Sequence, residues 1–517
     1  MRKSTAGATA CCTALLATAL LLSGCSSGAT DSSASGTASS PAKRGGSLAM
    51  SLSSAIDTWN PQKALATQSY RVFPQVYASL LRSTPDGKTL QPALASSYKA
   101  DPKTRTLTFT LSPDAKFSDG RPVTSADVKF SEGLWSKGEL YGSYFSSIKS
   151  VDTPAKNTVV FHLSEPDETL PAVLSTANAA IFPDKYGGRS AAAYWKKPVG
   201  AGPFMISGET VGRSIALTRN PYYYRSGLPY LDKVDYKVVA DGGQQLLQFQ
   251  SGSLDVVNGV ELEAAAQYPK NSIVRAPSTG VSVLTMNTKS GPLADVRLRK
   301  AIALAIDYRK LVRGGYVGEA GVATSLLPQQ VPGVTECPKC TWSTTDVDAA
   351  KKLVDASDYD GRTIELIVPS DGGPGKLAAQ ALTPMLAEAG IKATVSPLPT
   401  SSLIDDLGKG SFQLGMVTYS ALAPTPIDPL GFLGATGIVF SQSDPGPANK
   451  ALAAVHAASD TSEVTAAVQD FEATANATHA VLPLAVPNAL DAVADRVQGF
   501  VPAPYQAYCA DELNIRS

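Results

Sequence analysis

This chain contains few histidines and cysteines, the residue types that most often act as catalytic groups or metal ligands. Its 517 residues include six cysteines and three histidines, and the histidines (His162, His456 and His479) are far apart. Histidine is the commonest general acid or base and a frequent metal ligand. Three scattered copies argue against a metalloenzyme, although they leave catalysis by carboxylates open. We therefore predict no metal site and no cofactor.

Two cysteines stand close together. Cys337 and Cys340 have the C-x-x-C spacing, but a zinc site would need more ligands and the sequence has no second such pair. A redox pair usually begins a helix, whereas this one lies in a segment rich in proline and glycine. Outside the cytoplasm these cysteines and Cys509 can oxidise. We predict a disulfide among the three, most simply Cys337–Cys340, with free thiols or a functional role as the alternatives.

Three short motifs match enzyme signatures, but each lacks its companions. Residues 24–28 fit G-x-S-x-G, yet no strand precedes them. Residues 146–149 fit S-x-x-K, but the sequence lacks the S-D-N and K-T-G motifs that accompany it. The Gly-Lys pair at 375–376 is followed by Leu377 where a phosphate loop has Ser or Thr, and Ser370 replaces its first glycine. We therefore predict that the chain is not an enzyme.

The first 46 residues predict export and anchoring. Arg2 and Lys3 precede an apolar run over about 6–22, which is short for a transmembrane helix and typical of a secretory signal. The run ends in Leu-Ser-Gly-Cys25, which resembles the bacterial lipobox, in which the cysteine is acylated. We predict a signal peptide over 1–24, a lipid on Cys25 and a flexible linker over 25–46, because a Ser/Gly/Ala/Thr-rich stretch buries little apolar surface. The expected location is the outer face of the cell membrane; a plain signal peptide with an incidental cysteine is the alternative.

Length and charge narrow the class of protein. A chain of 517 residues is too long for one hydrophobic core, so at least two lobes are expected. The 44% of apolar and 17% of charged residues are ordinary for a globular protein. Because 45 basic residues balance 45 acidic ones, nothing in the charge indicates nucleic acid as a partner.

Local patterns predict strands and a helix in the first half of the chain. Apolar residues alternate over 105–111 and over 159–163, which predicts half-buried strands and places His162 on a polar face. Thr124 and Asp127 have the spacing of a capping box, which predicts that a helix begins there.

The second half predicts alternating strands and helices. Apolar residues four positions apart predict one helix; they are Leu298, Ile302 and Ile306. The glycine pair 314–315 is expected to end that helix. Residues 363–368, 376–389 and 391–395 are predicted as strand, helix and strand, a βαβ unit that implies a parallel sheet. We therefore predict an α/β region over about 280–485, preceded by a more strand-rich region.

A set of short motifs follows the linker in a recognisable order. They occupy residues 76–81, 85–87, 92–95, 117–120, 126–130, 198–204 (PVGAGPF), 220–223, 231–234, 250–255, 287–289 and 295–307. In this order they resemble the family 5 extracellular solute-binding proteins, the oligopeptide, dipeptide and nickel binders of ABC importers. Each motif alone is weak, but the ordered set is specific and covers nearly the whole chain after the linker.

The resemblance implies a fold and a mechanism. The fold would be α/β and two-lobed, periplasmic-binding-protein-like (type II, cluster C), with an extra domain inserted in the first lobe. The implied boundaries are lobe I at 47–80, 199–278 and 486–517, the inserted domain at 81–198, and lobe II at 279–485. Crossover strands near 278 and 486 would act as hinges, and closure would bury the ligand and allow docking on the permease.

The implied function is the capture of a peptide-like or other organic solute for an ABC importer. The expected partners are that solute, the permease subunits and the membrane that holds the lipid, with the protein itself a monomer and no nucleic acid bound. A ligand sensor without transport, or a secreted lipoprotein hydrolase on the same scaffold, is the alternative.

The resemblance also implies residues that contact the solute. Peptide binders of this family hold the ligand's α-ammonium with an aspartate in a loop of the type W-x-A-D-Y-x-D-P-x-x-F-L, and residues 419–433 match its Asp428-Pro and Phe-Leu pairs. Counting back places Thr425 at the aspartate, so a free ammonium would lack the counter-charge that its burial requires. The candidate ligand-binding residues are Gln68, Tyr70, Asn258, Tyr419, Ser420, Thr425 and Asp428.

Overall fold

The structure is a computed structural model that describes residues 44–64, 66–85, 87–370, 375–502, 505 and 509–516. The predicted signal peptide, Cys25 and nearly all of the linker lie outside the described residues. Within the described residues, no helix combines the length and the apolar character that crossing a membrane would require.

The described residues form twenty strands and thirteen α-helices. The strands are β1 Ser47–Leu52, β2 Leu81–Ser83, β3 Leu90–Pro92, β4 Ala95–Asp101, β5 Thr106–Leu111, β6 Ile148–Ala155, β7 Thr158–Leu163, β8 Phe204–Thr210, β9 Ser214–Arg219, β10 Lys233–Val238, β11 Val256–Asn258, β12 Ile273–Pro277, β13 Gly280–Met286, β14 Ala320–Val322, β15 Ile364–Pro369, β16 Ala393–Leu398, β17 Leu414–Ser420, β18 Val481–Val493, β19 Val497–Gln498 and β20 Asn514–Ile515. The helices are α1 Thr67–Val76, α2 Ser125–Trp135, α3 Leu170–Val173, α4 Ala191–Lys196, α5 Gly242–Gln250, α6 Val296–Ala305, α7 Tyr308–Gly315, α8 Val347–Asp355, α9 Gly375–Glu388, α10 Thr400–Lys409, α11 Ile427–Ala435, α12 Gly446–Ala457 and α13 Thr461–Thr478.

One large mixed sheet organises the molecule. It has twelve strands, ten of them in the order β16-β15-β17-β13-β18-β11-β1-β10-β9-β8, with β12 and β14 also pairing with β18. The first half of β18 pairs with β13 and its second half with β11 and β12, so this strand joins the two halves of the sheet. β1 runs parallel to both β10 and β11, which brings the carboxyl ends of these three strands to one edge.

A smaller antiparallel sheet lies between α1 and β8 in sequence. Its order is β4-β5-β7-β6, and the predicted strands over 105–111 and 159–163 are confirmed as β5 and β7. The predicted capping box is confirmed at α2, where the Thr124 N–H donates to the Asp127 carboxylate at 2.7 Å. His162 is on the exposed side of β7 and pairs with Asp152 at 3.0 Å.

The βαβ prediction is confirmed, and one helix prediction is wrong. β15, α9 and β16 form the expected unit, with the two strands parallel. The apolar stripe through Ile306 predicted a single helix, but the structure has two, α6 and α7. The chain leaves the helical conformation at Ile306, and the Asp307 carboxylate accepts a hydrogen bond from the Lys310 N–H at 2.9 Å, which caps a new helix.

The PVGAGPF segment fixes the end of α1. The Gly202 N–H donates to the Val76 carbonyl at 2.9 Å. A Cβ at Gly200 would lie 1.9 Å from the same carbonyl oxygen, so only glycine allows this approach. The segment therefore positions the helix that carries two of the predicted ligand residues.

Candidate functional site

Helix α1 presents two different faces. Tyr70, Phe73, Pro74 and Tyr77 follow helical spacing and line a cavity of about 320 Å³. Its other walls come from β2, residues 175–178, the loop after β17, and residues 499, 501, 505, 509 and 511–513. The volume is at the lower end of the range of small-molecule sites, about 300–1,000 Å³.

A chain of aromatic side chains crosses this region. The Tyr70 hydroxyl donates to the Asn178 side-chain oxygen at 3.2 Å, and its ring meets that of Tyr141 edge to face. The Tyr141 ring in turn meets that of Tyr144, whose hydroxyl donates to the carboxylate of Asp428. Two predicted residues, Tyr70 and Asp428, are thus brought together through two tyrosines that the sequence did not single out.

Asp428 is buried and has no cation beside it. One oxygen accepts from Tyr144 and the other from the Leu422 N–H at 2.5 Å, and the described residues supply no ion pair to it. Burial raises the pKa of Asp428 from 3.8 to about 6, although hydrogen bonds from Tyr144 and from the Leu422 and Ala423 backbone oppose the shift. The Asp428 carboxylate therefore has a structural role: its two hydrogen bonds hold the loop after β17 against Tyr144.

The second face of α1 carries Gln68 and Arg71, three positions apart. The Gln68 amide donates to the Ser53 hydroxyl at 2.8 Å, and the Asn258 amide donates to the Ser51 carbonyl at 3.2 Å. These contacts place both side chains at the carboxyl end of β1. We call the group Gln68, Arg71, Asn258 and Asp491 the polar pocket.

The polar pocket holds buried polar atoms without partners. Gln68 Oε1, Arg71 Nε and Asn258 Oδ1 are inaccessible to solvent and make no hydrogen bond within the described residues. A buried polar group without a partner costs about 1–3 kcal/mol, so such groups are rare unless a ligand or water completes them. In open α/β sheets, ligands bind outside the carboxyl ends of parallel strands, which is where these atoms lie.

The remaining predicted residues have internal roles or a partly exposed position. The hydroxyl of Tyr419 donates to the Leu326 carbonyl, and its ring lies 5.4 Å from that of Phe432. Ser420 is half-buried at the end of β17. Thr425 is buried, and its hydroxyl accepts from the Ile427 N–H at 3.3 Å, which shapes the turn before α11.

The cysteines divide into a pair and a single thiol. Cys337 and Cys340 form a disulfide with their Cα atoms 5.3 Å apart. Cys509 is half-buried and unpaired, and its sulfur lies 3.5 Å from the Pro74 carbonyl. Burial raises the pKa of Cys509 well above its ordinary value, so this thiol stays protonated at neutral pH and is a poor nucleophile.

The disulfide is expected to make a modest contribution to stability. It closes a very short loop, so its removal by Cys337→Ser and Cys340→Ser together should cost no more than the roughly 3 kcal/mol of a 15-residue loop. Alkylation of the unreduced, denatured mature protein should label one thiol, Cys509. Labelling of all three cysteines would show that the pair is reduced.

Arg71, Asp491 and Tyr144 are the site residues that the sequence reasoning missed. Arg71 is three positions after Gln68, so the helical period could have placed it on the same face. Asp491 is opposite Asn258 in the β11–β18 ladder, and Tyr144 is 284 positions from Asp428. No pattern within one sequence signals such distant pairs.

The chain matches a known protein family over most of its folded region. Residues 89–439 match the sequence model of the family described as bacterial extracellular solute-binding proteins, family 5, middle region.

Curated relatives are similar over about three quarters of their length. The chain is 27% identical over 391 residues, 73% of this chain, to the probable D,D-dipeptide-binding periplasmic protein DdpA of Escherichia coli (strain K12), of which it covers 74%. It is 27% identical to the peptide transport periplasmic protein SapA of Salmonella typhimurium, with 67% of this chain and 69% of that protein covered. It is 25% identical to the glutathione-binding protein GsiB of Salmonella typhi, with 74% and 76% covered. All three are named as binding or transport proteins, and none as an enzyme.

Solved structures share the fold. The oligopeptide-binding protein AppA of Bacillus subtilis, in complex with a nonapeptide, matches with a TM-score of 0.78 at 20% identity over 92% of this chain and all of that one. The Escherichia coli murein tripeptide binding protein MppA matches with a TM-score of 0.78 at 18% identity, covering 92% and 98%. The predicted α/β fold of the periplasmic-binding-protein type is therefore confirmed, and the chain belongs to family 5 of the bacterial extracellular solute-binding proteins.

Proposed function

We propose that this protein captures a small or medium organic solute outside the cytoplasm and delivers it to the permease of an ABC importer. Family membership and the printed names of the relatives support the role. The observation that carries it in this chain is the polar pocket, where three buried polar atoms lack partners within the described residues at the carboxyl ends of parallel strands. The solute would complete those atoms.

Closure of two lobes would control capture. Two polar contacts between described side chains join residues 81–198, the predicted inserted domain, to residues 279–485, the predicted lobe II. They are the Tyr144–Asp428 hydrogen bond and the ion pair between Asp167 and His456, at 3.3 Å. If the lobes open about hinges near 278 and 486, both contacts break, so both would favour the closed form.

The solute should not need a free α-ammonium group. The resemblance implies that Thr425 takes the position of the aspartate of the family's peptide binders, and this residue offers a buried hydroxyl in place of a charge. Asp428, the other nearby acid, is already hydrogen-bonded on both oxygens. An ammonium buried here would be unpaired, at a cost of roughly 3–5 kcal/mol.

Calorimetry with a series of peptides and their N-acetylated counterparts tests this proposal. Each acetylated peptide is expected to bind at least as tightly as its free form. Strong binding of free peptides that disappears on acetylation would contradict it and would show that another carboxylate takes the ammonium. Binding of neither form at any peptide length would contradict peptide-like solutes altogether.

Lipid attachment at Cys25 is proposed from the lipobox-like motif and the predicted linker. Cys25→Ser is expected to move the protein from the membrane fraction to the soluble fraction in cells, because the lipid on this cysteine is the proposed anchor. Cys509→Ser is the matched control and should stay with the membrane. A Cys25→Ser protein that sediments fully with membranes would contradict the anchor.

A further inference from the structure

The polar pocket contains a guanidinium that no carboxylate binds. Arg71 makes no side-chain hydrogen bond or ion pair with any residue that the structure describes, and its Nε atom is buried. Arg225, which is also half-buried, contrasts with it, because its guanidinium holds both Asp511 and Glu512. The N–H donors of the Arg71 guanidinium are therefore available to bind an anion.

Asp491, the acid of the same group, does not fill this role. Asp491 is opposite Asn258 in the sheet, and one of its oxygens accepts from the Gly259 N–H at 3.0 Å. Arg71 lowers the pKa of Asp491 electrostatically, but burial, the larger effect, leaves that pKa above its ordinary value. The two charges influence each other, but no hydrogen bond or ion pair joins the two side chains within the described residues.

The turn next to Arg71 has a glycine at its closest position. Gly259 has φ of +75°, and a Cβ there would lie 3.8 Å from Arg71 Nη2. Because glycine has no side chain, residue 259 places no side-chain atom against the guanidinium. The two amide oxygens of the pocket, Gln68 Oε1 and Asn258 Oδ1, lack donors.

We propose that Arg71 binds the carboxylate of the captured solute. A guanidinium offers two parallel N–H groups to a carboxylate, which fixes its orientation as well as its charge. Gln68 and Asn258 then accept hydrogen bonds from an N–H or O–H group near that carboxylate. The solute class is thus a carboxylic acid that carries an amide or hydroxyl, such as a peptide with a free C-terminus and a blocked N-terminus. This inference rests on the proposed function and specifies the ligand of the same site.

A paired library tests the assignment. N-acetylated di- and tripeptides, each present as the free acid and as the C-terminal amide, compete for the full-length protein, and native mass spectrometry counts the bound forms. The wild type is expected to prefer acids by roughly 10- to 100-fold, the effect of a charge-assisted contact. Arg71→Gln should reduce that preference to near unity, and Arg71→Lys should retain part of it. Arg309→Gln, which removes an exposed arginine of α7, is the matched control and should behave as the wild type.

The outcomes separate this inference from the proposed function. Equal binding of acids and amides by the wild type, or an unchanged preference in Arg71→Gln, would overturn the role of Arg71 while leaving solute capture intact. Binding of no library member by the wild type would overturn both. Arg71→Lys retains the charge and the helix, so it decides the question if Arg71→Gln fails to fold.

Discussion

Replacing His456 with alanine is expected to lower the free energy of unfolding at pH 7 by about 3 kcal/mol. His456 and Asp167 are both buried, and the Asp167 carboxylate would lose its contact with the His456 ring nitrogen, which lies 3.3 Å away. An uncompensated buried charge costs about 3–5 kcal/mol. The lower value is expected because Asp167 keeps hydrogen bonds from Ser147, Thr169 and the Leu170 N–H.

The pH dependence of this effect follows from the carboxylate. Burial by itself raises the pKa of Asp167, but the hydrogen bonds and charge of His456, with help from Ser147 and Thr169, hold it below the ordinary 3.8. A depressed pKa stabilises the fold above the ordinary value, and the stabilisation is lost as the pH falls through the folded-state pKa. The cost of His456→Ala should therefore be full at neutral pH and should disappear well below pH 4.

Denaturant unfolding of His456→Ala beside His162→Ala checks this prediction. His162 also pairs with an aspartate, Asp152, but on the surface, where an ion pair contributes little to stability. The surface variant should unfold close to the wild type. Equal stability of His456→Ala and His162→Ala would show that the buried contact between Asp167 and His456 does not stabilise the fold.

Replacing Asp428 with asparagine is expected to abolish part of the pH dependence of stability. The pKa of Asp428 is raised to about 6, so the contribution of this group to stability is full below about pH 4 and is lost as the pH rises through about 6. A shift of about two units corresponds to roughly 3 kcal/mol. Asparagine can accept from Leu422 and donate to the Tyr144 oxygen, so Asp428→Asn should be as stable as the wild type or more stable at pH 7.

Unfolding midpoints of the wild type and Asp428→Asn between pH 4 and 8 provide the measurement. The difference between the proteins is the useful quantity, because Glu472 is also buried, with a pKa raised to about 7, and titrates in both. Tyr144→Phe removes the O–H donor and should cost about 1.5–3 kcal/mol at pH 7, since the acceptor is charged. Tyr98→Phe, an exposed tyrosine of β4, should change nothing. Parallel pH profiles for the wild type and Asp428→Asn would contradict the raised pKa.

Local patterns in the sequence predicted local structure well. Alternation predicted β5 and β7, the capping box predicted the start of α2, and the βαβ unit is present because its apolar runs and glycines all favour the same arrangement. The failure at Ile306 has a local cause too: the apolar stripe continues through a residue at which the backbone has already turned toward the cap at Asp307.

The site was predicted less completely, and the reason is distance along the chain. Gln68 and Asn258 were identified by resemblance, and the structure places both beside Arg71, where their amide oxygens lack partners within its described residues. The contacts that give Asp428 and His456 their environments join residues 284 and 289 positions apart. Such pairs depend on how whole elements pack, which neither periodicity nor spacing encodes.

Native mass spectrometry of the freshly purified, full-length protein tests solute capture most directly. A closed binding protein retains its ligand, so the account predicts a species heavier than the chain by the mass of one small organic molecule. That extra mass should be lost on denaturation and recovered as a carboxylic acid in the small-molecule fraction. A spectrum showing only the bare chain, both as purified and after incubation with a peptide mixture and with the small-molecule extract of the producing cells, would contradict solute capture by this protein.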